Sequence, residues 1–289
     1  MPLLAIPNVS EGREGARIRG FTTTVEKTGA RVLDVHADAV HNRSVFTVTG
    51  SDSSLVRASA ELAAAARIDL TRHEGIHPRL GGLDVCPFVP HGATPMNTAI
   101  RVAHRAGEAI NERTGLPIYY YGRAALRDET RELPDLRRGG IQGLRARAVS
   151  GVPPDLGPTE IDPAAGVVCV GARGPLIAFN VWLICSQPVA AAIASRVRAS
   201  GGGLPGVRAL GLALDDETAQ VSMNLISPAV TGIDTAFSTV DRLAREMNAE
   251  ITATEIVGLV PEQFLPDPKA RATRMLISPG RSIDAALNP

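Results

Sequence analysis

A chain of 289 residues with 44% hydrophobic and 21% charged side chains carries enough apolar material for one large core or two lobes. It is unlike a disordered segment, which is poorer in apolar residues and higher in net charge. Thirty basic and thirty acidic residues cancel, so the molecule as a whole lacks the positive field that non-specific nucleic-acid binding uses.

In chain order, residues 3–9 form an apolar run that predicts a strand, and Ile18, Phe21 and Val25 share one face of a following helix. Residues 31–36 and 44–49 are rich in β-branched residues and predict two more strands. Ser53 or Ser54 is placed to cap a helix in which Leu55, Ala58, Leu62, Ala65 and Ala66 recur at helical spacing. A strand at 85–89 completes the order β-α-β-β-α-β. Residues 94–114 then predict a helix stopped by Gly115, followed by an aromatic strand at 118–122.

Residues 123–163 are rich in Gly, Pro and Arg, and are expected to be loop and connector with some short structure inside. Seven arginines stand against four acids between Arg123 and Arg147. No aromatic rings are interleaved for base stacking, so a solvated connector is expected. A second β-α-β-β-α-β cycle follows: strands at 167–170 and 176–184, a helix at 189–200, strands at 208–214 and 220–226, a helix at 234–248 capped by Asp234, and a strand at 256–260. The pattern predicts an α+β chain of two ferredoxin-like subdomains, each a sheet with helices on one face.

Three cysteines, Cys86, Cys169 and Cys185, lie in apolar runs without paired spacing, which argues against disulfides and zinc and for the cytoplasm. The N-terminal segment has no basic region before its short apolar run, and the longest apolar stretch, 174–185, is too short to span a bilayer. No membrane role is expected.

The densest polar cluster runs from Arg72 to Asp84, between a helix and a strand. Loops at strand ends are where catalytic groups collect. His77 suits a general base, because imidazole titrates near neutral pH, and Arg79 can grip a carboxylate with two parallel hydrogen bonds. A polar surface loop is the alternative reading. His73 and His77 have the spacing of a helical zinc motif, but Gly75 and Pro78 work against a helix there. Cys86, in an apolar strand, reads as a buried structural thiol. A second cluster, His36 to Arg43, bridges two strands and offers Asn42 and Arg43 as carboxylate donors, while Asn8, Ser10 and Glu11 close the first strand. Neither a Walker-type loop nor a dinucleotide fingerprint is present.

Several stretches together resemble the glutamate formimidoyltransferase (formiminotransferase) family. They include Pro7-Asn8-Val9-Ser10-Glu11-Gly12, Asn42-Arg43-Ser44-Val45, Arg72-His73-Glu74-Gly75 with His77-Pro78-Arg79, Leu83-Asp84-Val85-Cys86-Pro87-Phe88, Asp155-Leu156-Gly157-Pro158, Ile177-Ala178-Phe179-Asn180, Val221-Ser222-Met223-Asn224-Leu225 and Val257-Gly258-Leu259-Val260-Pro261. The resemblance implies an N-terminal subdomain with the catalytic loop over residues 1–173 and a C-terminal subdomain over 174–289, in a cytoplasmic homodimer. It implies transfer of a formimidoyl group from an N-formimidoyl amino acid, N-formimidoyl-L-glutamate above all, to N5 of tetrahydrofolate, in histidine catabolism. His77 falls on the catalytic base. Asn8, Glu11, Asn42, Arg43, Arg79, Asn180, Trp182 and Asn224 fall to substrate binding. Gly157, Pro158, Thr159, Glu160, Ile161, Asp162, Pro163, Ala164, Ala165 and Gly166 fall to folate. Tetrahydrofolate serves as co-substrate, with no metal, nucleotide, nucleic acid or membrane involved.

Four positions depart from the pattern. His36 replaces an Asp, Trp182 an Asn, and Ile161 and Ala165 aromatic rings, which bears on substrate identity more than on reaction type. The alternatives are a relative acting on another amine or amidine, such as formimidoylglycine or a biosynthetic intermediate, and a non-catalytic folate-binding module.

Overall fold

The computed structural model describes residues 2–76, 78–277 and 281–288. The chain divides into two units, Met1–Arg173 and Gly174–Pro289. The first contains β1 (Leu3–Ala5), β2 (Asn8–Val9), α1 (Gly15–Glu26), β3 (Arg31–Asp38), β4 (Arg43–Thr49), α2 (Asp52–Ala65), β5 (Leu83–Pro90), α3 (Met96–Thr114), β6 (Ile118–Gly122), α4 (Leu133–Arg137), α5 (Gly140–Ser150) and β7 (Val168–Ala172). The single strand expected over 3–9 is broken in two at Ile6 and Pro7. Pro7 has no N–H to give the ladder, although its carbonyl accepts the Phe46 N–H at 3.0 Å.

Both halves of that strand lie between β4 and β5, and β3 flanks β4. These antiparallel strands form the ferredoxin-like sheet, and β7 and then β6 extend it beyond β5 in parallel. Ser51, rather than Ser53 or Ser54, caps α2 by accepting the Ser54 N–H at 3.1 Å. Gly115 ends α3 at φ 71°, as its position after the periodic run predicts.

Helices α1, α2 and α3 cover one face of the sheet. Phe21, Leu55, Leu62, Val102 and Ile110 pack there with Phe46, Phe88, Val168 and Val170. On the other face Val85, Tyr119, Tyr121 and Cys169 pack with Leu136 of α4 and with Leu144 and Ala148 of α5. The segment expected to be connector is therefore partly a second helical layer over the added strands. Its helices are short, and Gly139 and Gly140, at φ 74° and 61°, break the apolar period between them.

The second unit contains β8 (Ile177–Ile184), α6 (Gln187–Val197), β9 (Val207–Ala213), β10 (Thr218–Leu225), α7 (Ile233–Glu246), β11 (Glu250–Val257), β12 (Leu259–Val260), α8 (Arg271–Arg274), β13 (Arg281–Ser282) and α9 (Ile283–Leu287). The sheet order β11-β8-β10-β9, all antiparallel, is again ferredoxin-like. Phe179, Val181, Leu183, Val221 and Met223 form the core with Ile193 and Val197 of α6 and Phe237, Val240 and Leu243 of α7. Asp234 stands in the first turn of α7, with Gly232 at the cap position expected for it. The fold is α+β with two ferredoxin-like subdomains. Among the described residues no helix is long and apolar enough to cross a membrane.

Candidate active site

The β3–β4 connection sets the frame of the site. Asp38 Oδ1 accepts the N–H groups of Val40 and His41 at 2.8 and 2.9 Å, an Asx turn that hands the chain to Asn42 at φ 46°. Asn42 Oδ1 accepts the Gly12 N–H at 2.9 Å, and its Nδ2 donates to the Glu74 carbonyl at 2.8 Å. Three segments are tied by one amide. Gly12 is required here, because a Cβ would lie 2.1 Å from the Asp38 carbonyl oxygen.

The polar loop docks on the same frame. Ser10 Oγ donates to the Gly81 carbonyl at 2.8 Å, and His73 Nε2 donates to the Ser10 carbonyl at 3.0 Å. Arg79 donates to the carbonyls of His41 at 3.0 Å and Asn42 at 3.3 Å, and rests against the His73 ring, with Nη1 2.8 Å from Nε2. Burial, then the Arg79 charge, holds His73 below its ordinary pKa. His77 lies outside the described residues, between Ile76 and Pro78 of this loop. A cleft of about 360 Å³ is lined by Glu11, Arg13, Arg17, Asn42, Asp69, Arg72, His73 and Glu74, among others.

The residues expected to bind substrate divide by what they already hold. Asn8 is buried and donates to the Ile6 carbonyl at 2.9 Å. Glu11 Oε1 accepts the N–H groups of Arg13 and Glu14 at 2.9 and 3.0 Å. Burial would raise the Glu11 carboxyl, but these N–H groups, with Arg17 and His73, outweigh it and hold it low. Asn8, Glu11 and Asn42 thus spend their side chains on the scaffold. Arg43 and Arg79 add positive charge to that of Arg13, Arg17 and Arg72 in the cleft.

A further guanidinium comes from the connector. Arg137, at the end of α4, pairs with Asp84 Oδ2, and Asp84 Oδ1 accepts the Leu80 N–H at 2.7 Å. Arg43 is pushed down to about 10, first by burial and then by Arg137, against the pull of Asp84 and Asp38. Sequence reasoning missed Arg137, because it is one of seven arginines in an apparently solvated stretch and no periodicity singles it out.

The folate-matching segment is split. Pro158, Glu160, Asp162, Ala165 and Gly166 line a cavity of about 330 Å³ with the ends of α2 and α3. Ile161, by contrast, is 2% exposed and packs in the core under α5.

In the second unit the face of the sheet opposite α6 and α7 carries a row of polar side chains among apolar ones such as Ile184 and Leu210. Asn180 donates to Glu255 at 2.9 Å. Ser222 lies across from Asn180, and Gln220 across from Trp182. Asn180 and Trp182 thus share the face that alternation predicts, with Trp182 Nε1 buried and without a hydrogen-bond partner. Asn224, on the same face by register, is exposed. Glu255 and Gln220 went unnoticed in the sequence, since single polar residues in apolar strands carry no pattern. Cys86 is buried near Ser59, its thiol pushed up to about 11 by burial, and is inert. Among the described residues no cluster of His, Cys, Asp or Glu could hold a metal ion.

These features define a two-unit α+β enzyme with a polar loop rich in arginine and histidine. The model of the formiminotransferase domain, N-terminal subdomain, matches residues 3–173, and that of the formiminotransferase domain matches 178–270. The chain is 39% identical over 268 residues to a glutamate formimidoyltransferase of Streptococcus pyogenes serotype M1, covering 91% of this chain and 90% of that one. It is 38% identical over 270 residues to one of Thermoplasma acidophilum, covering 91% and 89%. With a formimidoyltransferase-cyclodeaminase of Sus scrofa it shares 37% identity over 276 residues, 92% of this chain but 51% of that one. This chain belongs to the formiminotransferase family, and it is a transferase.

Proposed function

We propose that the chain moves the formimidoyl group of N-formimidoyl-L-glutamate to N5 of tetrahydrofolate, with His77 as the proton-transfer group. Family membership across both units carries this reading, supported by Arg79 standing two residues from His77 in a loop tied to the frame by hydrogen bonds. N5 attacks the amidine carbon to give a tetrahedral intermediate, which expels the amino acid nitrogen. His77 takes the proton from the attacking nitrogen and returns one to the leaving nitrogen. Arg43 and Arg79 receive substrate carboxylate, and Pro158, Glu160, Asp162, Ala165 and Gly166, which line the second cavity, receive folate. Holding the two substrates in line lowers the barrier by about 7–11 kcal/mol in favourable cases. The enzyme works in the cytoplasm as a homodimer in histidine breakdown.

The test is an assay of purified protein with both substrates, following the 5-formimidoyl product by absorbance. His77→Ala is expected to lower turnover about 10²–10⁴-fold with substrate affinity nearly intact. Near-wild-type turnover in that variant removes His77 from the mechanism.

Trp182 favours a second reading in which the donor is another formimidoyl amino acid. An indole of this size on the polar face beside Asn180 reshapes whatever binds there. A panel of formimidoyl donors separates the two readings.

A further inference from the structure

We propose that Arg137 is a positioning residue of the substrate-carboxylate site: from the end of α4 it holds Asp84, which in turn holds the Leu80 N–H and so fixes the main chain that carries Arg79. The assignment rests on the reading of Arg43 and Arg79 as carboxylate ligands. Asp84 is 1% exposed, and both of its oxygens are engaged, one by Leu80 and one by Arg137. A buried carboxylate left without its partner is strongly destabilised, so the pair acts as a fixed strut. Leu80 is itself fully buried, and the residue before it is Arg79. The strut therefore ends one residue from the guanidinium that it serves.

The same pair sets the charge around Arg43. That guanidinium faces Arg137 from α4, Asp84 from β5, Asp38 from β3 and Arg79 from the loop. Arg137 disfavours its protonated form and Asp84 favours it. Removing Asp84's charge should lower the Arg43 pKa below about 10, and removing Arg137 should raise it. A residue that only filled space would shift neither.

The test uses the whole protein with Arg137→Met, Arg137→Lys and Asp84→Asn. Calorimetry gives the Kd for L-glutamate from neutral to alkaline pH, and steady-state kinetics give kcat and KM for N-formimidoyl-L-glutamate and tetrahydrofolate. Arg137→Met is expected to weaken glutamate binding and raise the donor KM about tenfold, with kcat and the folate KM much less affected. Arg137→Lys should recover part of the loss. The alkaline loss of glutamate binding should move to lower pH in Asp84→Asn and to higher pH in Arg137→Met. Unchanged binding, or shifts in the same direction in both variants, overturns the assignment. If Arg137→Met does not fold, Arg137→Lys carries the test, and an unchanged Kd in it overturns the assignment. A wild type that binds glutamate but does not turn over the donor refutes the proposed reaction alone. A wild type that binds no glutamate overturns the positioning role itself.

Discussion

The side-chain amide of Asn42 donates to the Glu74 carbonyl at 2.8 Å while its oxygen accepts the Gly12 N–H at 2.9 Å. One residue thus joins the end of β2, the β3–β4 connection and the polar loop, and it does so from a left-handed backbone at φ 46°. Asn42→Ala should lose both hydrogen bonds and strain the backbone, costing about 1–3 kcal/mol in urea denaturation. Asn42→Gly keeps the conformation and should recover only the backbone share. Equal stability of wild type and both variants would show that the amide is not a strut.

Two glycines in this frame should respond differently to a methyl group. At Gly12 the Cβ would meet main-chain atoms, the Asp38 oxygen at 2.1 Å and the Arg43 nitrogen at 2.4 Å. Neither can move without shifting the turn, so Gly12→Ala should cost about 2 kcal/mol or more. At Gly75 the nearest atom is Arg79 Nη2 at 2.4 Å, although the His41 oxygen lies at 2.6 Å. Gly75→Ala should displace the guanidinium, raising the donor KM with a smaller loss of stability. The reverse ranking in kinetics and denaturation counts against this geometry.

Arg43→Lys and Arg79→Lys each keep a charge and lose the planar fork. Both are expected to raise the KM for the carboxylate-bearing donor, with little change in kcat. Steady-state constants unchanged for both substrates in both variants would rule these arginines out as carboxylate ligands.

The loop should be labile to acid in two steps. His73 lies below its ordinary pKa of 6.5, chiefly through burial, so the unfolded chain takes up that proton first. Its contribution to stability is fully present above about 6.5 and is lost as the pH falls through the folded value. Glu11 is also held below its ordinary 4.5, because its N–H partners and nearby cations outweigh burial. Its contribution is present above about 4.5 and is lost as the pH falls through its folded value. Urea titrations across acid pH should show His73→Gln removing the upper step and Glu11→Gln the lower. An upper step that persists in His73→Gln assigns it to another group.

The parts of this fold that repeat a period were legible in the sequence. Ile18, Phe21 and Val25 marked α1, and alternation along β8 put Asn180 and Trp182 on one face, which the register of β10 extends to Asn224. The parts set by single long-range contacts were not legible. Pro7 looked like one more residue of an apolar run, yet it divides the first strand because it cannot donate to the ladder. α4 and α5 bury only a few apolar residues and are parted by paired glycines, so Arg137 was indistinguishable from its exposed neighbours. The same limit applies to Asn8, Glu11 and Asn42. The resemblance assigns them to substrate binding, and their hydrogen bonds to backbone are visible only in the fold.

Trp182 carries the sharpest prediction about substrate. It stands on the polar face of the second sheet, across from Gln220 and on the same side as Asn180, while α6 and α7 pack against the opposite face. Neither α6 nor α7 covers it, and its indole N–H is buried without a hydrogen-bond partner. If the ring restricts the donor, wild-type enzyme should use N-formimidoyl-L-glutamate poorly and Trp182→Asn should improve its kcat/KM. Trp182→Phe, which keeps a ring without the N–H, separates shape from hydrogen bonding. Replacing the ring by an amide also removes packing, so thermal denaturation must accompany the kinetics. Wild-type turnover of N-formimidoyl-L-glutamate at ordinary enzyme rates, about 1–10³ per second, with no gain in Trp182→Asn, would show that the indole does not restrict this donor.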